Sequence, residues 1–407
     1  MRRCIAIGLL VFSPASPLAA DDWYRWRGPH LDGVSEETGW LAEWPKEGPS
    51  IAWRASVGTG FSSVTVSGGR LYTMGNRENT DTVYCLDAAT GKQLWKHSYQ
   101  SPLDDRFFEG GPTSTPTIDG DCVYTLSRQG ELFCFEAATG KIRWSKNIAE
   151  EANVRLPGWG FAGSPLVQGD LLVLAVGEAG TAVEKETGKI VWTSADRDAG
   201  YNTPVPVRRG EKSILILASG KFYHAVELAT GKELWRHRWL VRFGCNAADA
   251  IVDGDRVFIS SGYNRGAALL NIASDEPTVV WANKDMQNQL NASVLIDGYL
   301  YGIDGNTHGS ATNLKCMELA SGQVRWAHEM KGVGSLMAAG GKLIVLSEQG
   351  ELIIAKAAPE VFQPSARAKV LGGKCWTVPV LAQGRIYCRN ADGELVCVDV
   401  RAPDGVQ

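Results

Sequence analysis

Asp87-Ala-Ala-Thr90-Gly91-Lys92-Gln-Leu-Trp95 returns as Glu136-Ala-Ala-Thr139-Gly140-Lys141-Ile-Arg-Trp144, then as Glu184 to Trp192 and Glu227 to Trp235. A weaker copy carries Ser321-Gly322-Gln323 before Trp326. Each copy reads as a tight turn, with glycine supplying the positive φ, running into a strand that ends on tryptophan. Working outward, Trp53, Trp95, Trp144, Trp192, Trp235, Trp281 and Trp326 lie 42, 49, 48, 43, 46 and 45 residues apart. A period in the forties with strand-like content is that of a four-stranded propeller blade.

A second turn signal precedes each of these elements, at Ser67-Gly68-Gly69, Asp119-Gly120, Gln168-Gly169, Arg209-Gly210, Asp253-Gly254, Asp297-Gly298, Gly340-Gly341 and Gln383-Gly384. The flanking runs are short and β-branched or aromatic, as Thr115 to Ile118 and Cys122 to Leu126 are. The count is eight units. The last unit, Lys374 to Val400, has no tryptophan strand after it, while Ile51-Ala52-Trp53 is such a strand with no blade before it. The chain is therefore expected to be an all-β, eight-bladed β-propeller of four-stranded antiparallel blades over residues 50–407, closed by the N-terminal strand, which removes exposed sheet edges.

Residues 1–20 combine Arg2 and Arg3, the apolar run from Ile5 to Phe12 and the small-residue site Leu18-Ala19-Ala20, which reads as an export signal. Export to the periplasm or the cell exterior is the expectation, with no membrane-spanning segment in the rest of the chain. Residues 21–49 form a strap whose four tryptophans, Trp23, Trp26, Trp40 and Trp44, are expected to pack outside the propeller or under it. The formal charge is −4, or −6 without the two leader arginines, and it is dispersed. That argues against a nucleic-acid partner, which needs a basic face. Cys85, Cys134, Cys316 and Cys397 recur at one repeat position and read as small core residues, whereas the pairing of Cys122, Cys245, Cys375 and Cys388 is open.

The Asp/Glu-x-x-Thr-Gly-Lys-x-x-Trp element resembles the tryptophan-docking repeat of the PQQ-like β-propeller proteins. That superfamily includes quinoprotein alcohol dehydrogenases and the propeller subunit of the outer-membrane barrel-assembly machine. Trp23-Tyr-Arg-Trp26-Arg27-Gly28-Pro29, Gly111-Pro-Thr-Ser-Thr-Pro116 and Pro157-Gly-Trp-Gly160 are similar to a bacterial, secreted subgroup of it. The resemblance is specific for fold and implies little about activity, because one propeller hosts many functions.

Residues that recur once per blade are structural, so functional candidates are what remains. The repeat acids Asp87, Glu136, Glu184, Glu227 and Glu318 are placed to accept hydrogen bonds from the turn Thr or Ser. His97, His237 and His328 follow repeat tryptophans, and His30, His224 and His308 have no metal spacing. Asp304-Gly-Asn306-Thr-His308-Gly309 starts like a calcium loop but has Lys315 at the twelfth position. What survives lies in the segments leading into the innermost strands, which eight blades bring together at one mouth of the channel: Arg106 and Glu109, Trp159, Tyr201 and Asn202, Asn246, Gln289 and Asn291, and Trp376. Such a set can stack on a flat ring and bond its edge, or it can plug the channel and cap strand ends.

Two functions compete. One is a non-catalytic binding or scaffold module for a protein or carbohydrate ligand at the channel mouth, acting as a monomer without a cofactor or metal. The other, implied by the resemblance, is a PQQ-dependent dehydrogenase that oxidises an alcohol or sugar with quinone and calcium. Against the second stand three features: no Cys-Cys pair, no Cys-x-x-Cys-His haem motif, and little length beyond the blades. The binding reading is the stronger.

Overall fold

The protein is described by a computed structural model covering residues 22–307, 309 and 311–402. Residues 1–20, which read as an export signal in the sequence, and His308 lie outside the described residues. Apart from one helical turn at Ile148–Glu151 and a 3-10 turn at Arg242–Gly244, the regular structure described is all strand.

Eight antiparallel sheets follow one another as blades 1 to 8, over residues 65–100, 117–147, 166–193, 205–238, 251–283, 294–330, 335–369 and 380–399. In blades 1 to 7 the first of these strands in sequence lies toward the channel and the last lies outermost. Blade 8 supplies three strands of its own, and its outer strand is Ser50–Ser56, antiparallel to Glu394–Asp399 with Trp53 opposite Cys397. The ring is thus closed by the N-terminal strand, as expected.

The repeat motif is the glue between blades. Six of the seven repeat tryptophans donate the indole N–H to a carbonyl of the next blade, among them Trp53 to Ala88, Trp95 to Ala137, Trp144 to Lys185 and Trp192 to Leu228, at 2.9–3.1 Å. The turn glycine lies flat beneath that indole. A Cβ on Gly231 would stand 2.4 Å from the Trp192 ring, and its φ of +68° already excludes most side chains. Trp235 faces blade 5, whose corresponding connection, Ile272 to Pro277, carries no Thr-Gly-Lys turn, and its buried indole nitrogen has no hydrogen-bond partner. The repeat acids do accept from the turn hydroxyl, as Asp87 does from Thr90 at 2.7 Å and Glu136 from Thr139 at 2.8 Å.

Cys85, Cys134, Cys316 and Cys397 each sit between a tyrosine on one neighbouring strand and a repeat tryptophan on the other, where only a small side chain fits. All eight described cysteines are buried free thiols. No helix among the described residues is long and apolar enough to cross a membrane.

The strap departs from expectation. Trp40 and Trp44 do pack outside, beside blades 7 and 8, with the Trp44 indole on Arg367 O. Trp23 and Trp26 instead enter the central channel. Trp23 bridges Val66 of blade 1, Val34–Ser35 adds a parallel strand to the inner edge of blade 7, and Trp26 and Arg27 rise along the axis between them. The channel leaves an inner edge on every blade, and the strap bonds those of blades 1 and 7 and, through Tyr24 O on Ile118 N, that of blade 2.

Candidate functional site

Seen from the mouth, the channel is a blind funnel of about 690 Å3 lined by nine aromatic side chains. Two aromatic arrays share the lining. In one, Trp159 is surrounded by Tyr201, Phe107 and Phe243, with ring centroids at 5.5, 6.0 and 6.1 Å in edge-to-face contact, and Tyr263 continues the row from Phe243 at 5.6 Å. In the other, Phe61 stacks on Trp376 at 5.3 Å and tilts against Phe108 at 5.6 Å. Trp376 is held by its indole N–H on Glu348 (2.9 Å) and by Lys374 over its ring. Phe107 and Phe243 at the rim are 62% and 60% exposed, and Phe243 has φ +63°, an uncommon left-handed backbone for a bulky aromatic.

The floor is made by Trp26 and by part of a relay of hydrogen bonds that runs across blades 1 to 5. The residue two places before the inner strand accepts, on its side chain, the backbone N–H of its counterpart in the preceding blade. Ser63 N donates to Thr115, Thr115 N to Ser164, Ser164 N to Thr203, each at 3.0 Å, and Thr203 N to Asp249 at 2.7 Å. Four blades carry Ser or Thr here and the fifth carries a carboxylate. The strap docks on that substitution: the Trp26 indole donates to Asp249 Oδ2 at 2.6 Å, and the Arg27 Nε lies 3.9 Å from the same oxygen. Arg27 also donates to the carbonyls of Leu31, Asp32, Ala292 and Ser293. Burial raises the Asp249 carboxyl, opposed by Arg27, Trp26 and the Thr203 amide. Burial lowers Arg27, opposed by Asp249 and Asp32.

Of the residues singled out from sequence, Trp159, Tyr201, Gln289, Asn291 and Trp376 line the funnel together. Asn202 and Asn246 do not. The Asn202 Oδ1 accepts from Ala218 N (3.0 Å), and Asn246 donates to Ser219 O and Trp239 O while accepting from Ser261. Both amides are buried loop braces, at 1% and 0% exposure. Arg106 and Glu109 are not a pair and stay out of the lining. Arg106 is exposed on Asp104 (2.7 Å), and Glu109 bonds Lys374, tying the blade 2 rim to blade 8. Sequence reasoning missed Trp26, Asp249 and the phenylalanines. Phe107-Phe108 stands between Arg106 and Glu109, so the same subtraction that found those residues held the signal.

Chemically the funnel is quiet. Burial pushes the lining thiol of Cys245 up to about 12, keeping it a neutral thiol. Burial likewise raises the Tyr201 phenol, whose oxygen meets the Trp159 amide at 3.4 Å. Among the described residues no group of three His, Cys, Asp or Glu is placed to hold a metal ion.

A family description matches residues 35–111, 79–328 and 310–406. The chain belongs to the family described as outer membrane protein assembly factor BamB. No curated protein matches this BamB-family chain in sequence. The crystal structure of BamB from Moraxella catarrhalis is similar at 14% identity and a TM-score of 0.64, over 86% of this chain and 99% of that one. Quinohemoprotein alcohol dehydrogenase from Comamonas testosteroni is similar at 13% identity and a TM-score of 0.71, over 95% of this chain and 82% of that one. A computationally designed protein, Ika8, aligns at 13% identity and a TM-score of 0.59 over 85% of this chain and 98% of its own. At such identities these likenesses concern the fold alone.

Proposed function

We propose that the chain is a non-catalytic binding module of the cell envelope, exported to the periplasm or the cell exterior, that holds a carbohydrate or a segment of another protein in the funnel at the channel mouth. One observation carries the reading. The cavity is walled by two aromatic arrays and floored by neutral hydroxyls, and its one carboxylate is already engaged by Arg27, Trp26 and Thr203. A surface of that kind holds flat or apolar faces and offers no free base or activated nucleophile. The envelope location rests on the leader-like residues 1–20 and on the outer-membrane assembly description of the family.

The dehydrogenase reading asks for a tricarboxylate quinone and a divalent cation. The residues do not fit that pair. No Lys or Arg lines the funnel to meet the quinone acids, and Asp249 is the single lining carboxylate available to a cation.

The test is binding without turnover. Screening the chain, freed of residues 1–20, against oligosaccharide and peptide libraries by tryptophan fluorescence should give a ligand whose affinity Trp159→Ala and Trp376→Ala both abolish. A ligand that binds equally well to both variants places the site elsewhere and overturns the reading.

A further inference from the structure

Below its rim the funnel offers an occupant mostly hydrocarbon. Most polar side chains of the lining are bonded to the protein: the Trp26 indole to Asp249, the Trp376 indole to Glu348, the Asn291 amide to Trp376 O, and Gln289 and Thr307 to each other. The floor oxygens of Ser164, Thr203 and Asp249 accept backbone N–H groups. Between the rings the wall is aliphatic, with Ala162, Ala247 and Leu290. Trp26 closes the inner end, so the cavity of about 690 Å3 is a one-ended pit.

Such a surface sorts occupants by what they carry along their length. A peptide backbone brings an N–H and a C=O with every residue, and each would be buried against rings without a partner. A hydrocarbon chain has no polar group beyond its head, and every methylene that leaves water adds to affinity. The lip supplies what an acidic head requires. Arg242 stacks over exposed Phe243 at 4.7 Å, and Arg265, two residues after Tyr263, stacks over Trp239 at 3.4 Å. Neither has a carboxylate partner among the described residues, and the Arg265 Nε is buried with no partner, whereas Arg106 and Lys374 are paired with Asp104 and Glu109. Phe243 and Tyr263 both hold a left-handed backbone, at φ +63° and +54°, a conformation that costs energy for a bulky aromatic and keeps the two rings in contact at the mouth.

We infer that the funnel takes a single-chain anionic amphiphile, a fatty acid or a lysophospholipid, with its tail run in against the Trp159 and Trp376 arrays as far as Trp26 and its acidic head on Arg242 and Arg265 at the lip. This rests on the reading of the funnel as a binding site and adds a ligand class to it.

The experiment titrates the chain freed of residues 1–20 with the saturated acids from octanoate to palmitate, below their micelle concentrations, by calorimetry and tryptophan fluorescence. One molecule should bind, about fourfold tighter per added methylene, up to a length set by Trp26 at which affinity stops rising. Ala162→Leu and Ala247→Leu fill open space in the bore, so each should move that stop to shorter chains and leave the melting temperature unchanged. Arg242→Gln, at an exposed position, should weaken laurate about threefold and leave dodecanol unaffected. Lauroyl lysophosphatidylglycerol set against laurate tells the two sources apart, and a stop with either one supports the inference. Affinity that climbs through palmitate without a stop, or a stop that neither leucine variant moves, marks adsorption to the surface and overturns the inference. Dodecyltrimethylammonium binding as tightly as laurate overturns it too. If no amphiphile binds but an oligosaccharide or a peptide does in a Trp159-dependent way, the inference falls and the binding reading stands. If nothing binds, both fall.

Discussion

Asp249 stands where the preceding four blades place Ser or Thr, and the strap reads that difference through Trp26 and Arg27. Asp249→Ser should therefore leave the Arg27 guanidinium buried at 5% exposure with carbonyl partners only. Arg27→Met should leave the carboxylate buried with only the Trp26 indole and the Thr203 amide. Removing one member of a buried ion pair costs about 3–5 kcal/mol, whereas replacing both by neutral groups is close to neutral. Unfolding entropy of about 2.1 cal/mol/K per residue over roughly 380 described residues gives about 0.8 kcal/mol per degree, so each single variant should melt about 4–6 °C lower. The double variant Asp249→Ser, Arg27→Met returns a hydroxyl to the relay and should melt within about 1–2 °C of the native chain, a coupling of several kcal/mol. Scanning calorimetry of the four proteins at pH 7 is the assay. If the two losses add, so that the double variant falls by about 10 °C, Asp249 and Arg27 act independently and the strap is not docked through this pair.

Three further outcomes follow from the same geometry. Trp192 is 8% exposed and donates to Leu228 O, so Trp192→Ala should cost about 5 kcal/mol, while half-buried Trp159→Ala should cost about 1–2 kcal/mol; equal falls in melting would make Trp159 a core residue. Gly231→Ala puts a Cβ 2.4 Å from the Trp192 ring on a left-handed backbone and should cost about 2–4 kcal/mol by denaturant melts, whereas Gly254→Ala, with open space around it, should show only the smaller backbone penalty. Burial raises the Asp81 carboxyl to about 6 despite the Asn76 hydrogen bond at 2.6 Å, so the folded chain keeps that proton longer than the unfolded one does. Stability from this group is then lost as pH rises from about 4 to about 6, by up to about 3 kcal/mol, and Asp81→Asn should flatten that part of the profile; parallel profiles would refute it.

The fold was legible because a propeller repeats its physics. The Trp192–Gly231 contact recurs as Trp53–Gly91, Trp95–Gly140, Trp144–Gly188 and Trp281–Gly322, each a glycine that no other residue can replace beneath an indole. The period of the tryptophans is the pitch of the ring. The strap has no such repeat. Nothing local in Trp23 to Pro29 distinguishes an aromatic that packs on an outer face from one that enters a bore, since both bury the same area. The decision is made by a partner more than two hundred residues away, Asp249, whose own signal is only that it is an acid where a hydroxyl is expected.

The site was half legible for a reason that sequence does contain. The segments leading into the inner strands are extended, so their side chains alternate between the bore and the sheets. Counting back from the first residue of each inner strand, the fourth residue lines the funnel in seven of eight blades: Phe61, Thr113, Ala162, Tyr201, Ala247, Leu290 and Trp376. The second residue back is the relay position, and in blades 3 to 5 it lines the floor as Ser164, Thr203 and Asp249. Asn202 stands three back and Asn246 five back, and both are held in the loops, whereas Asn291 and Thr377, also three back, and Gln289, five back, line the cavity. The odd offsets therefore do not decide direction by themselves, because the lead-in segments of blades 6 and 8 present neighbouring residues to the same cavity. The even offsets do carry a signal, and they pick out Phe61 and Asp249, which composition passed over. In a propeller the distance back from the inner strand thus marks candidates for the channel wall, and the local course of each lead-in segment then decides which of their neighbours join them.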